Sequence, residues 1–175
     1  MNLISQDECF KKLTFDCKIL DIIENHIPHA EWEWIPWNYV CVNLPYKDLE
    51  HKDPFLDKMW SIGGRFCLFK LPAKTTYNWH KDIKNKVSLN LILTEYDCHT
   101  LFSIGHYEYL NSYNMPILDI VTELKYEPRK WYLFNTQIRH KVVNLDSRDR
   151  YLLTIVFQND HSYESLKEIL IDNLE

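Results

Sequence analysis

A histidine two residues before a carboxylate can hold one cation between an imidazole nitrogen and a carboxylate oxygen. This chain offers four such pairs: His29 with Glu31, His51 with Asp53, His80 with Asp82, and His106 with Glu108. With 8 histidines and 25 acidic residues in 175, about one is expected by chance, so the flanking sequence has to choose among them. His29 closes a helical stretch, and Asp53 runs into Pro54 and the start of another predicted helix. His106 and Glu108 fall in a polar, aromatic stretch that reads as a loop or ragged edge with no basic partner downstream. His80 and Asp82 alone follow an apolar run (66–71), precede an alternating one (87–93), and are joined later by a histidine in a β-prone stretch, His140.

In extended chain, residues i and i+2 point to the same side, so His80 and Asp82 can bind one ion, with His140 as a third ligand. Two imidazoles and a carboxylate on one face of an octahedron leave the opposite face open, the arrangement of non-haem Fe(II) centres that bind further ligands. Arg150 adds a second constraint. One strand over 140–150 would span roughly 33 Å, too long for both ends to serve one site. The turn formers Asn144-Leu145-Asp146-Ser147-Arg148-Asp149 predict a reversal near Leu145. That returns Arg150 towards the level of His140, where its guanidinium can form a two-pronged pair with a carboxylate.

From Tyr77 to Phe157 the chain reads Tyr-Asn-Trp-His-Lys-Asp, then Ser-Leu-Asn-Leu-Ile-Leu, then Phe-Asn-Thr-Gln-Ile-Arg-His-Lys-Val-Val-Asn, then Arg-Tyr-Leu-Leu-Thr-Ile. This stretch, a little under half the chain, resembles the 2-oxoglutarate/Fe(II)-dependent oxygenases, and within them small aspartyl/asparaginyl-hydroxylase-like or phage-type members. The resemblance implies that His80, Asp82 and His140 bind Fe(II) and form the catalytic centre. It also implies that Arg150 holds the distal carboxylate of the co-substrate 2-oxoglutarate, and that Tyr77, Asn90, Ser88 and, more weakly, Lys86 line its pocket. Many aspartyl-hydroxylase relatives lack the acidic ligand. Its presence here as Asp82 favours hydroxylation over halogenation, which needs that coordination position for halide.

The elements that must position these residues read as helix first, then strands. Phe10, Leu13, Cys17, Leu20 and Ile23 recur at helical spacing and predict one amphipathic helix over 9–26. A tryptophan-rich connector with Trp32, Trp34 and Trp37 follows, then a short helix over 53–60 and a turn at Gly63-Gly64. Short β-prone runs come next, at 66–71, 87–94, 100–104, 117–126, 131–135, 140–143 and 151–157. A helix over 162–171 follows. Repeated short strands predict a mainly β fold with flanking helices, a double-stranded β-helix or jelly roll of the cupin kind, in which ligands distant in sequence meet at one open end. One domain over 1–175 is expected: a helical N-terminal part (1–62), a jelly-roll core (63–158) and a C-terminal helix (159–175).

Composition bounds the partners. A net charge of −5 gives no global attraction to nucleic acid or membrane. Lysines gather locally at Lys81, Lys84 and Lys86, as do Arg129, Lys130 and Arg139, either as a solvated face or as a rim that guides an anionic substrate. Five cysteines without a Cys-x-x-Cys pair predict a reducing, cytoplasmic compartment, and the scarcity of glycine fits an AT-rich or phage genome. The resemblance implies a dioxygenase that uses dioxygen and releases succinate and CO2. Its substrate would be a peptidyl or free amino acid or another small molecule, with Asn135 or Gln137 either fixing the ring of His140 or serving as turn residues, and Trp79, Tyr132 and Phe134 either enclosing the reaction or packing in the core. The alternatives are a non-catalytic jelly-roll binding protein and a cupin metalloenzyme that does not use 2-oxoglutarate.

Overall fold

The computed structural model describes residues 3–16, 20–35, 39–44, 47, 49–95, 99–107, 118–157 and 160–171. Eight strands form the core: β4 (Gly64–Leu71), β5 (Thr75–His80), β6 (Val87–Ile92), β7 (His99–Tyr107), β8 (Leu118–Lys125), β9 (Lys130–Asn135), β10 (His140–Asn144) and β11 (Arg150–Phe157). Three more precede them: β1 (Phe10–Asp16), β2 (Glu33–Ile35) and β3 (Tyr39–Asn43). They make a seven-stranded sheet, β1-β9-β6-β11-β4-β3-β2, and a four-stranded sheet, β5-β10-β7-β8. Every pairing is antiparallel. The chain crosses between sheets from β4 to β5, β5 to β6, β6 to β7, β8 to β9, β9 to β10 and β10 to β11, which is the jelly-roll, or double-stranded β-helix, arrangement expected.

The period of two along each strand divides the larger sheet into two faces. Leu89 and Leu91 of β6, Leu133 of β9, and Leu153 and Ile155 of β11 point outward, onto α2 (Leu20–His26), α3 (Pro54–Ser61) and α4 (Tyr163–Ile171). Ile23, Leu56, Met59, Leu166 and Leu170 supply the helical side of that layer. The opposite face turns Ile92, Tyr132, Phe134 and Leu152 towards Phe102 and Leu124 of the smaller sheet. Each fully buried side chain of this kind is worth ~1.5–3 kcal/mol of transfer free energy, so the helix-backed layer holds the larger sheet rigid while its inner face is left for the site.

Residues 1–62 are not the helical segment expected. A one-turn helix, α1 (Gln6–Cys9), leads directly into β1, so that among the described residues of the predicted 9–26 helix Cys9 and Leu20–His26 are helical and Phe10–Asp16 is a strand. Phe10 and Leu13 are three apart, which on a strand places them on opposite faces, and both faces of β1 are covered: Phe10 joins the layer between the sheets, and Leu13 the layer under the helices. The same spacing that mimics a helix is thus satisfied by a strand between two cores, fixed by pairing with β9. The tryptophan-rich connector likewise contributes β2 and β3. Trp32 packs on Tyr151 with ring centres 5.8 Å apart, Trp34 is exposed, and Trp37 and Cys17 lie outside the described residues. His106, expected in a loop, falls within β7. Among the described residues, no helix is long and apolar enough to cross a membrane.

Candidate metal centre and its cleft

His80 is the last residue of β5 and His140 the first of β10, and the two are directly paired in the smaller sheet. Their rings sit 4.2 Å apart, centre to centre. Asp82 lies two residues past the end of β5, in the loop to β6, with one carboxylate oxygen 3.6 Å from His80 Nε2. One ligand atom from each of the three lies within 4.8 Å of the others, and this is the one cluster of metal-ligating side chains found among the described residues.

Local hydrogen bonds select the imidazole nitrogens. His80 Nδ1 is 2.7 Å from the carbonyl of Asn78, and His140 Nδ1 is 2.9 Å from that of Ile138. A carbonyl only accepts, so each Nδ1 carries the hydrogen and each Nε2 keeps its lone pair for a cation. Asp82 is held through its backbone. Its N–H donates to the Thr136 carbonyl at 3.1 Å, and its own carbonyl accepts from Gln137 Nε2 at 3.0 Å. Gln137 also donates to the carbonyl of Asn85, as does the Thr136 hydroxyl. Asn135 turns away to donate to the Glu8 carbonyl, while its side-chain oxygen accepts from the Gln137 backbone N–H.

Burial sets the charge states. It pushes the Asp82 carboxyl up to about 6. Burial and the neighbouring His80 push His140 down to about 4, and burial lowers His80 as well. Two neutral imidazoles beside a carboxylate short of counter-charge form a donor set suited to a divalent cation. Tyr77, edge-on to His80 at 4.2 Å, is raised by burial and by the charge of Asp82.

These residues open onto a cleft of about 860 Å³ between the sheets. Its inner wall comes from the larger sheet: Phe69 of β4, Ser88 and Asn90 of β6, Phe134 of β9, and Leu152, Thr154 and Val156 of β11. Asn90 donates to the Ser88 hydroxyl at 3.0 Å and accepts from the Thr154 hydroxyl at 2.8 Å, a buried polar strip across the apolar floor. Of the expected enclosing aromatics, Trp79 and Phe134 line the cleft and Tyr132 does not; the Tyr132 hydroxyl instead accepts from the Glu127 N–H. Lys86 is not among the lining residues and pairs with Asp160 at 2.5 Å.

Arg150 opens β11 on the same face as Leu152 and Thr154, after the predicted reversal, which carries the chain from the smaller sheet to the larger. It is 1% exposed and lies beneath Tyr126, a lining residue, with its guanidinium carbon 4.9 Å from the ring centre. Nη1 donates to the carbonyls of His99 and Val143 at 2.9 and 3.5 Å, while Nε and Nη2 are buried with no hydrogen-bond partner. Tyr126 and Thr154 were not anticipated. Thr154 was within reach, four residues past Arg150 on one strand face. Tyr126 was not, because its place over Arg150 is a contact between sheets.

No family model and no curated protein matches this sequence. Its fold is similar to that of an oxidoreductase of the 2OG-Fe(II) oxygenase family from Burkholderia pseudomallei, with a TM-score of 0.54, 11% identity, and 88% of this chain and 86% of that one covered. It is also similar to a Trichoplax adhaerens prolyl hydroxylase in complex with a hypoxia inducible factor peptide fragment (0.58, 11% identity, 86% and 83% covered). A third is HygX from Streptomyces hygroscopicus, with nickel, 2-oxoglutarate and hygromycin B bound (0.58, 8% identity, 91% and 90% covered). At such identities the likeness is one of fold, and the fold is one that 2OG-Fe(II) oxygenases, prolyl hydroxylases among them, also adopt.

Proposed function

We propose that residues 1–175 form a single Fe(II)- and 2-oxoglutarate-dependent dioxygenase domain that hydroxylates a peptidyl or free amino acid. One observation carries the reading: a convergent His80–Asp82–His140 donor set opens onto a cleft, and against Tyr126 of its lining lies a buried arginine whose Nε and Nη2 have no hydrogen-bond partner. The residues fit the groups implied. The three ligands offer two neutral nitrogens and a carboxylate, the set preferred by non-haem Fe(II). An unpaired buried guanidinium is unfavourable until a carboxylate both neutralises it and accepts its hydrogens, which supports Arg150 as the anchor for 2-oxoglutarate.

Bound iron with 2-oxoglutarate and dioxygen supplies an oxidant for an unactivated C–H bond, with succinate and CO2 as co-products. The chain's own work is placement. The Asn78 and Ile138 carbonyls fix the two rings, and Thr136 and Gln137 fix the backbone of Asp82. Phe69, Phe134 and Leu152 of the larger sheet and Val142 of the smaller give the cleft its apolar lining, and Tyr77 and the Ser88–Asn90–Thr154 strip give it polar contacts.

The test is an anaerobic titration of the metal-free protein with Fe(II) and then 2-oxoglutarate, watched for the visible charge-transfer band of a chelated keto acid. The band is expected in the wild type and absent in His80→Ala. A folded protein without the band would favour a non-catalytic binding protein. A band-free protein with metal-dependent turnover would favour a cupin enzyme that does not use 2-oxoglutarate.

A further inference from the structure

Lys81 and Lys84, on the loop between β5 and β6, line the mouth of the cleft on either side of Asp82. Neither forms an ion pair among the described residues, whereas Lys86 on the same loop pairs with Asp160. Asp82 is the one carboxylate among the lining residues, and a bound cation would neutralise it. The mouth is therefore positive in a chain whose net charge is −5. Ile83, between the two lysines, is 99% exposed. A lone exposed isoleucine is ordinary on a surface; one within the lining of a cleft, flanked by cations, offers apolar contact to whatever enters.

The adjoining strand shows the form of the entrant. β5 pairs only with β10 and ends the smaller sheet, so the strand that delivers His80 has one edge without a strand partner among the described residues. Such an edge is a template for an extended backbone. A nucleic acid fits less well. Two lysines on an acidic chain are a small footprint for a polyanion, and Trp79, the ring best placed to stack on a base, has the Arg139 guanidinium 5.3 Å from its ring centre.

We infer that the substrate is a polypeptide segment bound in extended form along the edge of β5 that has no strand partner among the described residues, with an acidic side chain held by Lys81 and Lys84 and an apolar one against Ile83. The inference rests on the oxygenase reading of the cleft and narrows its substrate to residues with an acidic neighbour in sequence. Lys81 and Lys84 are specificity residues on this view, since they contact flanking side chains and not the reacting carbon.

The test uses two fluorescein-labelled ten-residue peptide pools that differ only in carrying glutamate or glutamine at two positions flanking a randomised centre. Each is titrated with the full chain and followed by anisotropy, with labelled oligothymidylate as a third probe. The glutamate pool is expected to bind about tenfold more tightly, equivalent to ~1.4 kcal/mol. Lys81→Glu with Lys84→Glu is expected to abolish that difference, and Lys84→Gln alone to reduce it. Equal binding of the two pools, or a preference that survives the double substitution, overturns the inference. Tighter binding of oligothymidylate than of the glutamate pool also overturns it, by assigning the lysines to nucleic acid. The titration is run both without metal and with Mn(II), which neutralises Asp82, and needs no turnover, so it reads the rim independently of the keto-acid band: a band without peptide preference removes this inference and leaves the oxygenase reading in place.

Discussion

The guanidinium carbon of Arg150 lies 4.9 Å from the centre of the Tyr126 ring, and two of its nitrogens, Nε and Nη2, are buried without a partner. The ring face attracts the cation, and the carbonyls of His99 and Val143 take Nη1. Three of the five N–H donors, on Nε and Nη2, remain for the carboxylate proposed above. A lysine keeps the charge but loses the paired geometry, and charge-assisted hydrogen bonds contribute ~1.5–3 kcal/mol each. Arg150→Lys is therefore expected to weaken 2-oxoglutarate by about tenfold to a hundredfold and to leave metal affinity unchanged. Thermal shifts with Mn(II), with and without 2-oxoglutarate, check both; equal co-substrate stabilisation of the two proteins would sink the assignment.

Metal affinity is expected to depend on pH through Asp82. With this carboxyl at about 6, protons compete with the metal below that value, and affinity should fall about tenfold per pH unit there. His140, at about 4, stays neutral through that range. The same groups bear on folding with opposite signs. Asp82 is raised from its ordinary 3.8, so its contribution to the metal-free protein is greatest below that value and is lost as pH rises through about 6. His140 is lowered from 6.5, so its contribution is present above 6.5 and is lost as pH falls towards 4. Asp82→Asn should raise the Tm of the metal-free protein near pH 8 and abolish metal-dependent stabilisation. Calorimetric Mn(II) titrations and melting curves from about pH 5 to 8 read both effects, and a flat affinity across the acid half would contradict the shift.

The convergence of His80, Asp82 and His140 was legible because two constraints that survive folding are local: the two-residue step from His80 to Asp82, and the turn formers at 144–149 that reverse the chain between His140 and Arg150. The strand that carries His80 was not. Thr-Thr-Tyr-Asn-Trp-His alternates only through Tyr77 and Trp79 and buries none of its six residues fully, a weak signal for the edge strand that β5 forms. β1 was misread for the converse reason: buried on both faces, it scattered Phe10 and Leu13 at a spacing that mimics a helix. Two contacts around the cleft, Tyr126 over Arg150 and Thr154 on Asn90, join residues 24 and 64 apart in sequence. They belong to the meeting of elements, which no local pattern encodes.

Gly64 separates scaffold from site. A Cβ there would stand 2.7 Å from the Met59 carbonyl oxygen and 2.9 Å from Ile155 Cγ2, because β4 begins hard against the end of α3. Backbone cannot yield as a flexible side chain does, so Gly64→Ala is expected to lower stability by ~1–3 kcal/mol. The strain falls on the helix-backed face, away from the metal ligands. Urea denaturation should show the loss, while Mn(II) affinity of the folded protein should remain within about twofold of wild type; a matching loss of affinity would mean that the two faces are coupled.

Gln137 makes the opposite separation. Its Nε2 donates to the carbonyls of Asp82 and Asn85 at 3.0 and 3.1 Å, which ties the β5–β6 loop to the turn before β10. Asp82 is the one ligand outside a strand, so its position depends on these bonds and on its own N–H to Thr136. Removing the groups that support a metal ligand typically costs tenfold to a hundredfold in affinity. The amide is exposed, so little folding energy is at stake. Gln137→Ala is therefore expected to weaken Mn(II) binding by about tenfold with a change in stability below ~1 kcal/mol. Gln137→Glu should behave like alanine, since a carboxylate cannot donate to either carbonyl. Calorimetric metal titration beside urea denaturation distinguishes the outcomes. If metal affinity is unchanged in both variants, the Asp82 loop holds its shape without Gln137, and the positioning role falls to Thr136.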